Sequence, residues 1–179
     1  GASEFNQDIS SWDVSNGTYF SNMFSQAGSF DQDIGGWDVS NGIDFAFMFI
    51  YATAFNQDIS SWDVSSGTNF EYMFVGTDLF NQDIGGWDVS NGTNFRFMFA
   101  ASNFNQDISP WDVSSGTNFS NMFNRAEAFN QDIGSWDVSS GNDFSFMFAR
   151  NSLLNQDISP WDVSNGCLLY TSPSPRDGL

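Results

Sequence analysis

Apolar positions recur along this chain at a fixed interval. In the stretch from Phe55 to Leu79 they fall at Phe55, Ile59, Trp62, Val64, Phe70, Met73 and Phe74, and the same set begins again at Phe80. Trp62-Asp63-Val64 alternates apolar, polar, apolar, which predicts a short strand with Trp and Val inward and Asp outward. Ser65-Ser66-Gly67 ends it with a turn. Beyond the turn, Phe70, Met73 and Phe74 stand at i, i+3 and i+4, the spacing of one helical face, with Thr68 placed to cap the first free amides. A helix of about two turns is unstable alone. Its apolar face must therefore be held by the strand layer and by neighbouring copies.

Copies begin at Phe5, Phe30, Phe55, Phe80, Phe104, Phe129 and Leu154, a period of 25 residues with a single step of 24. A period of this length marks a solenoid, in which no unit buries its own apolar face and stacking makes the core. The missing residue falls between Phe99 and Phe104, in a loop, where a deletion is absorbed most easily. The expected fold is an α/β solenoid with one short strand and one short helix in each repeat. The residues between Ile and Trp alternate: odd copies carry Ser first (Ser10, Ser60, Ser109, Ser159) and even copies Gly (Gly35, Gly85, Gly134), as if a 50-residue pair had been duplicated.

Residues 5–166 form seven repeats, the last incomplete. Residues 1–4 read as the end of a preceding unit or as added sequence. After Gly166 the pattern breaks into Cys-Leu-Leu-Tyr-Thr-Ser-Pro-Ser-Pro, which resembles translated cloning-adapter sequence, and residues 167–179 are set apart from the fold.

Charge narrows the partners. Asp and Glu number 22 against four Arg, with no Lys or His, for a formal net charge of −18. Nucleic acid and anionic membrane surfaces both require a basic footprint, so neither is an expected partner. No apolar run is long enough to span a membrane. A single cysteine, Cys167, excludes an internal disulfide framework.

The run Phe-Asn-Gln-Asp-Ile-Ser-x-Trp-Asp-Val-Ser-Asn resembles the BspA-like leucine-rich-repeat surface proteins, a group that includes mycoplasma lipoprotein-type repeats. The resemblance covers residues 5–166. It implies a right-handed solenoid at a cell surface or outside the cell, acting in adhesion or in binding host and matrix proteins, with no catalytic residues. One departure is Gly17, Gly42, Gly67, Gly92, Gly116, Gly141 and Gly166, which stand where the family carries an apolar core residue. In the first six of these, the Phe three places later is the candidate to refill that space.

Fourteen of the 19 Asp residues form two columns, one before Ile and one between Trp and Val. The second column, Asp13, Asp38, Asp63, Asp88, Asp112, Asp137 and Asp162, is the candidate binding face, because its side chains should point away from the core. Stacked at about 4.8 Å, such carboxylates repel by roughly 1 kcal/mol per neighbouring pair in bulk water. Two readings follow. Either the column takes up cations, calcium being the candidate, or a protein ligand, or it is a solvated surface whose Asp residues cap turns. Catalysis is not expected, since an active site needs one asymmetric environment and this pair of carboxylates occurs seven times over. The Trp and Phe columns belong in the core. The expected function is a non-catalytic module for adhesion or protein binding, with a structural spacer array stabilised by divalent cations as the alternative.

Overall fold

The structure is a computed structural model, described here for residues 2–166; the tail set apart at 167–179 and Cys167 lie outside the described residues. Successive copies stack in register, and the apolar residues of all copies merge into one core. Three columns of Phe rings run through it. Phe20, Phe45, Phe70, Phe95, Phe119 and Phe144 stack at centroid spacings from 5.4 to 5.7 Å. A second column passes through Phe24, Phe49, Phe74, Phe99 and Phe123. Its rings lie within 4.0 to 4.4 Å of the third, which starts each following copy at Phe30, Phe55, Phe80, Phe104 and Phe129.

The expected strand and helix do not form. Among the described residues there is no helix, and β-pairing is limited to single parallel bridges, one per copy, linking Tyr19, Asp44, Asn69, Asn94, Asn118 and Asp143 in series. The α/β solenoid of the sequence reading is therefore incorrect, and the reason lies in where the amides go. Phe70, Met73 and Phe74 are fully buried, as a helical face would be. Yet the amides of Phe70, Tyr72, Phe74 and Gly76 donate to Asn94, Arg96, Met98 and Ala100 in the next copy, while those of Met73, Val75 and Thr77 close tight turns onto Phe70, Tyr72 and Phe74. A helix would spend its amides, beyond the first four, within its own segment. Here every second amide ties one copy to the next, and Thr68, expected as an N-cap, donates its amide to the Ile43 carbonyl instead.

Folding a chain into consecutive turns places two residues of each copy at positive φ. Eleven of these among the described residues are not glycine, including Phe47, Tyr72, Phe97 and Phe146. Left-handed backbone costs an L-residue about 1 kcal/mol. Nine of the eleven, from Asn22 to Arg125, donate their amides to the next copy, and these bonds hold them there.

Trp62-Asp63-Val64 fails as a strand for a related reason. The Trp62 amide closes a turn onto Ile59, the Ser65 amide goes to the Asp63 side chain, and the Gly67 amide closes another turn onto Val64. Donors spent inside the copy are lost to a ladder. What joins copies on this side is the indole. Nε1 of Trp37, Trp62, Trp87, Trp111, Trp136 and Trp161 donates to the carbonyl of the Ile in the preceding copy at 3.0 to 3.2 Å. Trp37 through Trp136 are buried.

The repeated glycines have a contact to explain them. A Cβ at Gly67 would lie 2.6 Å from Cζ of Phe70, so this ring occupies the space, as the sequence suggested. The residue lost from the fourth copy removes the turn that elsewhere precedes the initial Phe, such as Phe80 onto Thr77. Phe104 is nonetheless fully buried.

The odd and even alternation is also a packing contact. A Cβ on Gly35, Gly85 or Gly134 would approach the carbonyl oxygen of Asp58, Asp107 or Asp157 in the next copy to within 2.5 Å, whereas one on Gly36 or Gly86 would meet nothing within 4 Å. Gly85→Ala should therefore cost about 1–3 kcal/mol, and Gly86→Ala should stay within about 0.5 kcal/mol of the parent. Urea denaturation followed by tryptophan fluorescence measures both. Separately, Trp87→Phe should cost about 1–3 kcal/mol, because it leaves the buried Ile59 carbonyl without its donor.

Candidate functional site

All seven Asp residues of the Trp-Asp-Val column, Asp13, Asp38, Asp63, Asp88, Asp112, Asp137 and Asp162, are exposed, as the alternation implied. Each has a structural task. Oδ1 accepts the amide of the residue two places on, Ser15, Ser40, Ser65, Ser90, Ser114, Ser139 and Ser164, at 3.0 to 3.1 Å. In Asp13 and Asp38 the Ser hydroxyl donates to the same oxygen at 2.7 and 2.6 Å. This Asx turn reverses the chain after Val and before the glycine on which the Phe ring rests.

The other Asp column does the same at the preceding corner. Asp8, Asp58, Asp107 and Asp157 accept the amides of Ser10, Ser60, Ser109 and Ser159, and Asp33, Asp83 and Asp132 accept those of Gly35, Gly85 and Gly134. Each copy thus carries two outward carboxylates, both anchored by one oxygen.

At nine of the fourteen positions these bonds favour the ionised form. The Ser hydroxyl and then the Ser amide hold Asp13, Asp38, Asp88 and Asp137 below the ordinary value of 3.8. The Ser amide leads for Asp8, Asp58, Asp107, Asp157 and Asp162. Repulsion along the column is visible but smaller: Asp13 pushes Asp38 up, and Asp137 pushes Asp162 up. The caps outweigh the neighbouring charge.

A third polar column escaped the sequence reading. Asn6, Asp31, Asn56, Asn81, Asn105 and Asn130 each accept, through Oδ1, the amide of the corresponding residue in the next copy, at 2.8 to 3.2 Å. Gln32, Gln57, Gln82, Gln131 and Gln156 donate back to the same residues. The invariant spacing of Asn-Gln within the repeat was the available signal. These side chains bind the copies together.

Among the described residues no group of three or more His, Cys, Asp or Glu is placed to hold a metal ion, and no helix is long and apolar enough to cross a membrane. The arrangement contains columns of fixed, ionised acceptors and a continuous core. Chemically, it can present regular negative charge to a partner.

Such a stack of near-identical copies defines a repeat protein whose units share one core. The chain belongs to the family described as Mycoplasma protein of unknown function, DUF285, whose model matches residues 1–85, 43–102 and 68–168. No curated protein and no solved structure matches the chain.

The cap makes a prediction about acid. A carboxyl whose folded pKa is depressed stabilises the fold above its unfolded value, and that contribution is lost as pH falls through the folded value. The melting midpoint should therefore hold steady down to about pH 5 and fall once pH drops below the unfolded Asp value of 3.8. At about pH 7, Asp88→Ala should melt lower than Asp88→Asn, because the Asn carbonyl still accepts the Ser90 amide. Equal losses would assign the effect to charge instead of to the cap.

Proposed function

We propose that the chain is a non-catalytic protein-binding module, displayed at a cell surface or secreted, that engages partners through its carboxylate columns. The observation behind this reading is the fixed presentation of those carboxylates. Asx turns hold each one by the same oxygen, so a partner meets a repeating acidic array whose side-chain entropy is already spent. Membership of the mycoplasma repeat family and the resemblance to surface-exposed repeat proteins support the location and the adhesive role. The matching partner is a protein with an extended basic patch, such as an extracellular matrix component. Complementary charge of this kind speeds association and makes it sensitive to salt.

Immobilised protein should retain one or more purified matrix proteins at low ionic strength and release them as salt is raised. Replacing three neighbouring carboxylates together, Asp63, Asp88 and Asp112, by Asn should weaken retention while keeping the Asx turns, the variant still melting in one cooperative transition. If no matrix protein is retained at low salt, the adhesive reading fails.

A further inference from the structure

The run of consecutive turns carries a chemistry that the carboxylate columns do not. All three arginines among the described residues lie on it: Arg96, Arg125 and Arg150. Arg96 is neutralised by Glu71, with Nη1 2.7 Å from Oε1. Arg125 and Arg150 occupy equivalent positions in neighbouring copies, both exposed, and neither forms an ion pair among the described residues. Two like charges side by side remain unneutralised on a chain with a net charge of −18.

They border an open groove of about 590 Å³. Its floor is apolar, with Val75 and Ala100 buried beneath it, and the rings of Tyr51, Tyr72, Phe97 and Phe146 are among the residues that line it. The rings of Phe47, Tyr72 and Phe97 stack at 4.8 and 4.5 Å with planes within 13° of parallel. The next copy has Asn121 in that column, and its Oδ1 is tied to Nδ2 of Asn124 at 2.7 Å. The stack therefore runs out at Asn121, one copy beyond Phe97 and four residues before Arg125. A flat ring set there would continue the column at the spacing its members already keep.

We propose that this groove binds a small organic anion built on a flat ring. The ring stacks on Phe97 beside Asn121, and the carboxylate, sulfonate or phosphate head takes charge-assisted hydrogen bonds from Arg125 and Arg150. A long polyanion is disfavoured by the surrounding negative charge, which selects for a compact ligand with one or two charges. The site is separate from the carboxylate columns and stands or falls without the adhesive reading.

The probe is 8-anilino-1-naphthalenesulfonate, an aryl sulfonate, titrated onto the whole chain by fluorescence and calorimetry. Saturable binding at one site per chain is expected. The double variant Arg125→Gln/Arg150→Gln should bind about tenfold more weakly or worse. Asn121→Phe should abolish binding by completing the column, with an unchanged melting midpoint, since Phe already occupies the equivalent positive-φ positions at Phe47, Phe97 and Phe146. The proposal is overturned if the probe does not saturate, if the double Gln variant or Asn121→Phe binds it as the parent does, or if inorganic sulfate competes as well as a ring-bearing sulfonate.

Discussion

The structure depends on one arrangement: alternate amides in the turn run donate along the stack to the copy one period ahead. This single pattern fixes the register of everything else. It sets the spacing at which Phe rings pile up, it places Trp under the Ile carbonyl it will meet, and it holds aromatic residues at backbone angles they would otherwise avoid. A buried amide without a partner would be costly. Because the partner lies in a neighbouring copy, the local conformation of each repeat is conditional on its neighbours, and the array behaves as a row of coupled units.

Polar side chains complete what the backbone leaves open, and the division of labour is regular. Asp turns the corners within a copy. Asn and Gln link copies at the start of each unit, and the indole of Trp links them on the opposite side of the Asp-capped corner. Thr77 and Ser102, both buried, return their hydroxyls to the Phe74 and Phe99 carbonyls at 2.6 and 2.7 Å. No buried side-chain nitrogen or oxygen among the described residues lacks a partner. The acidity of the surface thus follows largely from turn chemistry. The charge is available to a partner, but it is first a consequence of how the chain bends.

Much of this was legible in the sequence, and the part that was not shares one cause. Periodicity identified which side chains turn inward: Phe70, Met73, Phe74, Trp62 and Val64 are buried as read. The glycine before each Phe was correctly linked to the ring that covers it, and the deletion before Phe104 was correctly placed where the core does not feel it. Period alone could not say where an amide donates. A face at i, i+3 and i+4 is shared by a helix and by a run of turns, and only the partner of Phe70, Tyr72 and Phe74 separates them. The same blindness hid the Asn-Gln column, whose meaning is an inter-copy bond, and the arginine groove, which joins residues from five copies. The outward Asp residues were legible as outward. Their Asx turns had been one of two readings, and Ser at the second position after each was the local clue.

The indole bonds all point the same way, from each copy to the one synthesised before it, and the turn-run amides point the other way. Every fastening therefore spans little more than one period, whatever the total length. A nascent chain leaving the ribosome needs only the next two dozen or so residues to complete a docking surface that is already waiting, so assembly can proceed stepwise behind the exit tunnel. Growth of this kind is templated by its own finished end, and lengthening the array adds steps without adding any slower one.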